Sequence, residues 1–94
     1  MKYFDWNDDK NDLLKKLRGV SFEDVVLAIE NGDLLDRVTH PNSIKYLRQM
    51  VFYVNINKYV YAVPFVEDDE KIFLKTIMPD RKATNKYLGG TRNE

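Results

Sequence analysis

The chain contains no cysteine and only one histidine among its 94 residues. The absence of cysteine excludes disulfide bonds, thiolate metal sites and a cysteine nucleophile. Long hydrophobic runs are also missing, since the apolar stretches 50–54 and 59–65 are far shorter than the roughly 20 residues of a membrane-spanning helix. The first residues turn acidic at once and include no apolar leader, so we expect a cytoplasmic protein without membrane contact.

The chain has no net charge, because 15 basic residues balance 15 acidic ones. A dedicated nucleic-acid-binding domain is usually basic. The balance hides an asymmetry, however, because residues 67–70 read EDDE, whereas residues 71–94 hold six bases and only two acids. We therefore expect any site for a polyanion to involve the C-terminal quarter of the chain.

The sequence shows no pattern for a metal ion or a nucleotide cofactor. His40 has no second histidine and no cysteine with which to hold zinc, and the acids lack calcium-loop spacing. No glycine-rich phosphate loop is present. We expect the protein to use neither a metal nor a cofactor.

Hydrophobic residues make up 44% of the chain and aromatic residues 13%, which is enough for one compact core. No repeat or linker divides the sequence, so we predict a single domain over residues 1–94, with 91–94 as a frayed end. Caps at Asn7 and Ser21 and a stop at Gly19 mark two helices. The predicted elements are a strand over 2–6, a helix over 8–18, a helix from the cap Ser21 to the stop Asn31–Gly32, a weak strand over 34–39, strands over 49–56, 59–66 and 71–78, and a short helix over 81–88 that stops at Gly89–Gly90.

Short connections between the later strands favour antiparallel pairing, with the helices on one face of the sheet. The sequence thus predicts an α+β fold in which an N-terminal strand and a two-helix hairpin pack on an antiparallel sheet, followed by a short C-terminal helix. Asn57–Lys58 suits a two-residue hairpin turn. Pro64 cannot donate to a strand ladder, so we expect an edge or a bulge there. Helical spacing predicts that the stripe Leu13, Leu14 and Leu17 faces the core.

The last predicted strand carries the residues best suited to bind RNA. Alternation places Lys71, Phe73, Lys75 and Ile77 on an outward face, and Ile72, Leu74 and Met78 toward the core. Lys71 could contact phosphate, Phe73 could stack on a base, and Lys75 is a candidate for a catalytic role.

The predicted C-terminal helix adds further candidates. Arg81 cannot lose its proton at working pH, so it could hold a phosphate or stabilise a pentavalent transition state, with Lys82 beside it. Lys86 would contact RNA, and Tyr87 could stack or act in catalysis. His40 could serve as a general acid or base, although a lone histidine is more often structural or simply exposed.

Two separated motifs resemble those of a known family. The segments F-D-W-N-D-D-K and L-R-G-V-S-F-E-D are similar to the opening of the BrnT toxins, which belong to the RelE-like group. The segment I-M-P-D-R-K-A-T resembles their C-terminal signature and places Arg81 to Thr84 on it. Leu14 stands where the family often has Asn, and Arg18 where it often has His. Pro79 and Asp80 replace small residues.

This resemblance implies a RelE-like fold and a toxin of a bacterial toxin–antitoxin pair. It implies metal-independent cleavage of RNA, in which the substrate's own 2′-hydroxyl attacks the adjacent phosphate and translation is inhibited. It also implies neutralisation by a BrnA-like antitoxin with a ribbon-helix-helix part, through which the pair would reach its operator DNA. Because the family places basic residues before the central strand, Lys45 becomes a candidate for RNA contact and Arg48 for catalysis.

Two alternatives remain open at this point. The chain could be a protein-binding module with weakened catalysis that acts as an antitoxin-bound co-repressor; the zero net charge and the missing family histidine favour this. It could also be a stand-alone RNA-binding domain, which predicts salt-dependent RNA affinity without cleavage.

Overall fold

The computed structural model describes residues 2–89 as two helices packed on one face of a sheet and a short helix on the other face. This confirms the predicted α+β class. The elements in chain order are β1 Tyr3–Asp5, α1 Asp8–Arg18, α2 Phe22–Glu30, β2 Leu34–Thr39, β3 Met50–Ile56, β4 Tyr59–Glu67, β5 Lys71–Leu74, β6 Met78–Pro79 and α3 Arg81–Thr84, which continues into a π-helical turn, Asn85–Gly89. The predicted frayed end, 91–94, and Gly90 lie outside the described residues.

Local capping sets the bounds of the first two helices. The side chain of Asn7 accepts a hydrogen bond from the Lys10 N–H at 2.9 Å, and Gly19 ends α1 in a left-handed conformation with φ 67°. The hydroxyl of Ser21 accepts from the N–H of Asp24, whose carboxylate accepts from the N–H of Ser21. The predictions for α1 and for the Ser21 cap are confirmed.

A buried asparagine joins the two helices. Asn11 is 4% exposed; its Nδ2 donates to Glu23 at 2.8 Å, and its Oδ1 accepts from the N–H of Phe22 at 2.8 Å. The bond from Asn11 lowers the pKa of the Glu23 carboxyl. Sequence reasoning gave this residue no role, because an Asn in a helix is usually exposed.

The strand order is β1-β5-β4-β3-β2, and β6 pairs with β4 beyond the end of β5. All pairs are antiparallel except β1 with β5, which is parallel. The expectation of uniform antiparallel pairing is therefore wrong for the first strand. Two helices and three strands separate β1 from β5 in the chain, and such a long connection allows parallel pairing.

The β3–β4 hairpin turns at Asn57 and Lys58, whose φ values are 53° and 68°. Two successive positive φ values are typical of the two-residue turn that matches strand twist, so this prediction is confirmed. The acidic turn after β4 is held by Asp68, which accepts from the backbone N–H groups of Glu70 and Lys71.

A bulge interrupts the last predicted strand. Phe65 pairs with Leu74 and Ala62 pairs with Met78, so three steps along β4 match four steps on the partner. The backbone C=O of Pro64 accepts from the N–H of Lys75 at 2.8 Å. Because the N and the C=O of one residue face the same neighbouring strand, the side of Pro64 that lacks an N–H donor faces this irregular stretch. The expected bulge at Pro64 is confirmed, within a central strand.

The bulge also corrects the predicted facing of side chains. Because one extra residue inverts the alternation, Ile77 is fully buried in the core and Met78 is 40% exposed. An uninterrupted strand over 71–78 predicts the reverse, and that prediction is wrong. Ile72 and Leu74, which precede the bulge, face the core as predicted.

The core lies between the helices and one face of the sheet. It stacks Phe52 on Phe65 with ring centroids 3.8 Å apart, and Trp6 on Phe22 at 5.6 Å. The other core residues are Leu14, Val20, Val25, Ala28, Val54, Val63, Leu74 and Ile77.

The predicted leucine stripe of α1 is only partly correct. Leu14 is 3% exposed, but Leu13 and Leu17 are 47% and 70% exposed. The helix presents a narrow face to the core, where Asn11 takes the place of a further apolar side chain.

The short α3 packs on the opposite face of the sheet. Asp80 accepts from the N–H of Ala83 and caps the helix as predicted, and Ala83 is 6% exposed. The Thr84 hydroxyl donates to the Asp80 C=O and accepts from the N–H of Val60, which fixes the helix to β4. The regular helix expected over 81–88 instead widens into the π-helical turn, a feature that is frequent at functional sites.

No helix within residues 2–89 is long and apolar enough to cross a membrane.

Candidate functional site

The face of the sheet that carries α3 holds two pockets. Strand pairing places Asp36 opposite Tyr53, Tyr53 opposite Ala62, and Val66 opposite Phe73, all on this face, because paired residues point to the same side. We call this surface the α3 face. Its partner face is covered by α1 and α2.

The first pocket, here the Asp36 pocket, lies between strands β2 and β3 and the start of the C-terminal helix. Its volume is about 360 Å³, within the range of small-ligand sites. The lining residues are Asp36, Val38, Tyr53, Asp80, Lys82, Ala83, Lys86 and Tyr87.

A carboxylate–phenol pair forms one wall of the Asp36 pocket. The Tyr87 hydroxyl donates to Asp36 Oδ2 at 2.7 Å, and the backbone N–H of Arg37 donates to Oδ1 at 2.8 Å. The bond from Tyr87, followed by that from the Arg37 backbone, lowers the pKa of the Asp36 carboxyl. The same bond, aided by burial, raises the pKa of Tyr87 to about 12. At neutral pH Asp36 is therefore ionised and Tyr87 keeps its proton.

Two lysines and a second phenol complete the site. Lys82 and Lys86 line the pocket, and Lys86 Nζ lies 5.2 Å from the centroid of the Tyr87 ring. The ring of Tyr53 lies 5.9 Å from that of Tyr87. Burial, with the nearby charges of Asp80 and Asp36, raises the pKa of Tyr53, so this phenol also stays protonated. The site thus combines an ionised carboxylate, two protonated phenols and two ammonium groups.

This set of groups is suited to proton transfer beside a phosphate. The Asp36 carboxylate can accept a proton, and the lysines can stabilise negative charge on phosphate oxygens. Asp36 and Asp80 both accept hydrogen bonds, but the bond to Asp80 Oδ1 caps α3, whereas Asp36 Oδ2 accepts from Tyr87, whose side chain also lines the pocket. We assign the role of acceptor to Asp36 because its main partner is itself part of the site.

The second pocket, here the Arg48 pocket, lies at the other end of the α3 face and has a volume of about 420 Å³. Val66 and Phe73 come from the sheet, and Arg48 comes from the loop before β3. The remaining lining residues are Leu47, Glu67, Asp68 and Lys71.

The predicted site residues are divided between the two pockets. Lys82, Lys86 and Tyr87 meet in the Asp36 pocket. Arg48, Lys71 and Phe73 meet in the Arg48 pocket, where Lys71 and Lys75 place their Nζ atoms 5.9 and 5.6 Å from the Phe73 ring centroid. The sequence implied a single cluster around Arg81, which the structure does not show.

Arg81 itself lines neither pocket. It is exposed in the first turn of α3, and its guanidinium forms no hydrogen bond or ion pair with any residue in the range 2–89. The two following positions of the motif, Ala83 and Thr84, hold the helix against β4. Much of the motif that carried the family resemblance thus has a structural role.

His40 and Lys45 lie apart from both pockets, in the loop between β2 and β3. The N–H of Asn42 donates to His40 Nδ1 at 3.0 Å, and the His40 ring lies 4.4 Å from that of Tyr46. Lys45 Nζ lies 5.3 Å from the Tyr46 centroid. These contacts organise the loop that presents Arg48.

Sequence reasoning missed Asp36 and Tyr53. Asp is depleted in strands, so an Asp inside the strand 34–39 was a signal that could have been used. Tyr53 lies in a largely apolar strand, where the sequence gives no sign of a functional role, and its pairing with Asp36 shows which face it occupies.

Within residues 2–89, no group of three or more His, Cys, Asp or Glu side chains is arranged to hold a metal ion. Comparison of the chain with protein-family models, with curated proteins and with solved structures finds no match. The resemblance to the BrnT toxins therefore stays a prediction.

Proposed function

We propose that this protein is an endoribonuclease that cleaves RNA without a metal ion, and that it acts as the toxin of a bacterial toxin–antitoxin pair in the cytoplasm. The observation that carries the proposal is the Asp36 pocket, where the Asp36 carboxylate, fixed by Tyr87 at 2.7 Å, lies in one pocket with Lys82 and Lys86. An acceptor for a hydroxyl proton and cations for a phosphate are the groups that cleavage by an internal 2′-hydroxyl requires.

In the proposed reaction, the Asp36 carboxylate takes the proton of the substrate's 2′-hydroxyl. The 2′-oxygen then forms a bond to the adjacent phosphorus, and the bond from phosphorus to the 5′-oxygen breaks. An ammonium group of Lys82 or Lys86 gives a proton to the leaving 5′-oxygen. The products are a 2′,3′-cyclic phosphate and a 5′-hydroxyl, and proton exchange with water returns both groups to their starting states.

Tyr87 is a positioning residue in this scheme. Its hydroxyl donates to Asp36 and keeps that carboxylate ionised. The two lysines stabilise the extra negative charge on the phosphorane oxygens, as fixed cations do at sites of developing charge. Arg81, which is exposed and lies next to Lys82, contributes to RNA affinity rather than to the reaction.

Single-stranded RNA is the substrate class that fits the α3 face. The Lys71–Phe73–Lys75 group combines cations with an aromatic ring, and such groups bind single strands by contact with phosphate and by stacking. An in-line attack by a 2′-hydroxyl also requires a flexible strand rather than a regular helix.

The test is cleavage of a labelled single-stranded RNA by the purified chain in the presence of EDTA. We expect products with a 2′,3′-cyclic phosphate and a 5′-hydroxyl. Asp36→Asn should lower the rate at least 100-fold, since general-base catalysis typically contributes that much. Lys82→Ala should lower the rate more than Arg81→Ala.

Lys16→Ala is the matched control, because Lys16 is exposed on α1, on the far side of the sheet, and should not affect the rate. Activity lost with EDTA would disprove the metal-free mechanism. If Asp36→Asn cleaved as fast as the wild-type chain while remaining folded, the assigned site would be wrong.

A protein-binding role is the second candidate, favoured by exposed leucines on the helical layer. Leu13 and Leu17, which share one side of α1, are 47% and 70% exposed, and Leu27 on α2 is 56% exposed. The partner we propose is a BrnA-like antitoxin with a ribbon-helix-helix part. The test is expression of the chain alone and together with a neighbouring small gene. Growth arrest in the first case, relieved in the second, supports the toxin. Tight binding of the antitoxin without arrest or loss of RNA supports a co-repressor module.

A further inference from the structure

We infer that the Arg48 pocket is a nucleotide-binding subsite, in which a nucleobase stacks against Phe73 and its phosphate pairs with Arg48. This inference rests on the proposed function, since it assigns a second contact to the RNA that the Asp36 pocket would cleave. Val66 and Phe73 form an apolar wall on the sheet, and Leu47 adds apolar surface from the loop. A pocket of about 420 Å³ is within the range of sites for one small ligand.

Arg48 is the cation of this pocket that is available to bind an anion. Glu67 already accepts from both Lys2 and Arg37, and Asp68 accepts from the N–H groups of Glu70 and Lys71. Glu67 is thus paired with two cations, and both carboxylates stay ionised, since these bonds lower their pKa values. Lys71 is likewise paired, with Asp5 at 3.3 Å. Arg48, in contrast, forms no hydrogen bond or ion pair within residues 2–89.

The backbone at Arg48 provides an independent observation. Its φ is 68°, a left-handed conformation that is strained for a long side chain and that glycine adopts freely. The loop around it is ordered by bonds from the His40 N–H to the Gln49 C=O and from the Gln49 N–H to the Tyr46 C=O. Strain held in place by the surrounding structure is a feature of binding sites. Here the strained backbone places Arg48 at the edge of the pocket that contains Phe73.

The spacing of the two pockets suits a single strand. Ala62, beside Tyr53, and Val66, in the Arg48 pocket, are four residues apart on β4, which corresponds to about 13 Å. Val51 and Pro64 lie between them and are buried, so these are two depressions rather than one groove. A nucleotide in the Arg48 pocket would therefore lie a short distance along the strand from the scissile phosphate.

The test uses Arg48→Gly, which should weaken nucleotide binding without lowering the stability of the fold. Titration with the four ribonucleoside 5′-monophosphates, followed by NMR, should shift the Val66 methyl and Arg48 Nε–H resonances. Arg48→Gly should weaken that binding at least tenfold, while its midpoint of denaturant unfolding stays the same or rises. Phe73→Leu should also weaken binding and keep the pocket apolar.

Lys58→Gly is the matched control, because Lys58 is also exposed at φ 68° but lies in the β3–β4 turn. It should raise the unfolding midpoint and leave nucleotide affinity unchanged. Unchanged nucleotide affinity in Arg48→Gly would overturn the inference. So would NMR shifts that are confined to residues of the Asp36 pocket. Binding of the unphosphorylated nucleosides with equal affinity would overturn it as well.

Cleavage is measured separately on the same variants, so that the two proposals can fail independently. Mononucleotide binding by a chain that does not cleave RNA would retain the subsite and reject the ribonuclease. Cleavage that persists with no detectable mononucleotide binding would retain the ribonuclease and reject the subsite.

Discussion

At the scale of single residues, the candidate site depends on one hydrogen bond. Tyr87 lies in a π-helical turn of the C-terminal segment and Asp36 in an edge strand, 51 positions apart, and their side chains meet at 2.7 Å. The bond shifts the two pKa values in opposite directions, downward for the carboxyl and upward for the phenol. The pair therefore keeps its charge state across the physiological pH range.

Replacing Tyr87 with Phe tests this coupling through the pH dependence of cleavage. Loss of the bond removes the largest influence that lowers the Asp36 pKa, so that pKa should rise. Because the base must be ionised to act, the acid limb of the pH–rate profile should move to higher pH. A Tyr46→Phe variant, altered in the β2–β3 loop, should keep the wild-type limb. An unmoved limb in Tyr87→Phe would remove Tyr87 from the mechanism.

At the scale of elements, the bulge between β5 and β6 decides which side chains reach the core. It lies opposite Pro64, which has no N–H to donate to the partner strand, although its C=O accepts from the Lys75 N–H. The extra residue sends Ile77 inward and Met78 outward.

Two alanine substitutions should distinguish the bulged strand from a regular one. Ile77→Ala removes a fully buried side chain and should lower the free energy of unfolding by about 2–5 kcal/mol. Met78→Ala changes a residue that is 40% exposed and should cost less than about 1 kcal/mol. Denaturant unfolding measures both, and equal or reversed costs would contradict the bulge.

At the scale of the whole molecule, one face of the sheet belongs to the core and the other to the candidate site. One face is buried under α1 and α2, and the other carries both pockets and most of the predicted site residues. Two of the acids near the β4–β5 turn have local partners: Glu67 pairs with Lys2 and Arg37, and Asp68 accepts from two backbone N–H groups. Cations such as Arg48 and Lys82 line the pockets and remain for a ligand.

This arrangement predicts a moderate dependence of RNA binding on salt. With six phosphate contacts, the plot of log affinity against log salt concentration should have a slope of about −4 for a single strand. The contacts are Arg48, Lys71, Lys75, Arg81, Lys82 and Lys86. RNA methylated at the 2′-hydroxyls should bind but not be cleaved, which permits the measurement at equilibrium. The triple variant with Arg48, Lys82 and Lys86 changed to Gln should bring the slope to about −2. A much steeper slope would indicate a wider basic surface than the α3 face provides.

The sequence by itself determined the first two helices, their caps, the hairpin turn and the α+β class. These features depend on residues that are close in the chain. The Asn7 side chain accepts from the N–H of Lys10, three positions later, and Asn57–Lys58 forms a turn because both residues adopt positive φ. It also identified the basic and aromatic residues of the C-terminal quarter, because residue type alone defines their chemistry.

The tertiary structure decided which of those residues meet. Asp36 and Tyr87 come together only because the sheet places β2 beside β3 and α3 docks on the same face through Thr84. The bulge at Lys75 and the parallel pairing of β1 likewise depend on partners distant in sequence. A local pattern does not specify such partners. The candidate site is built from three separate segments, so it could not be predicted from any one of them.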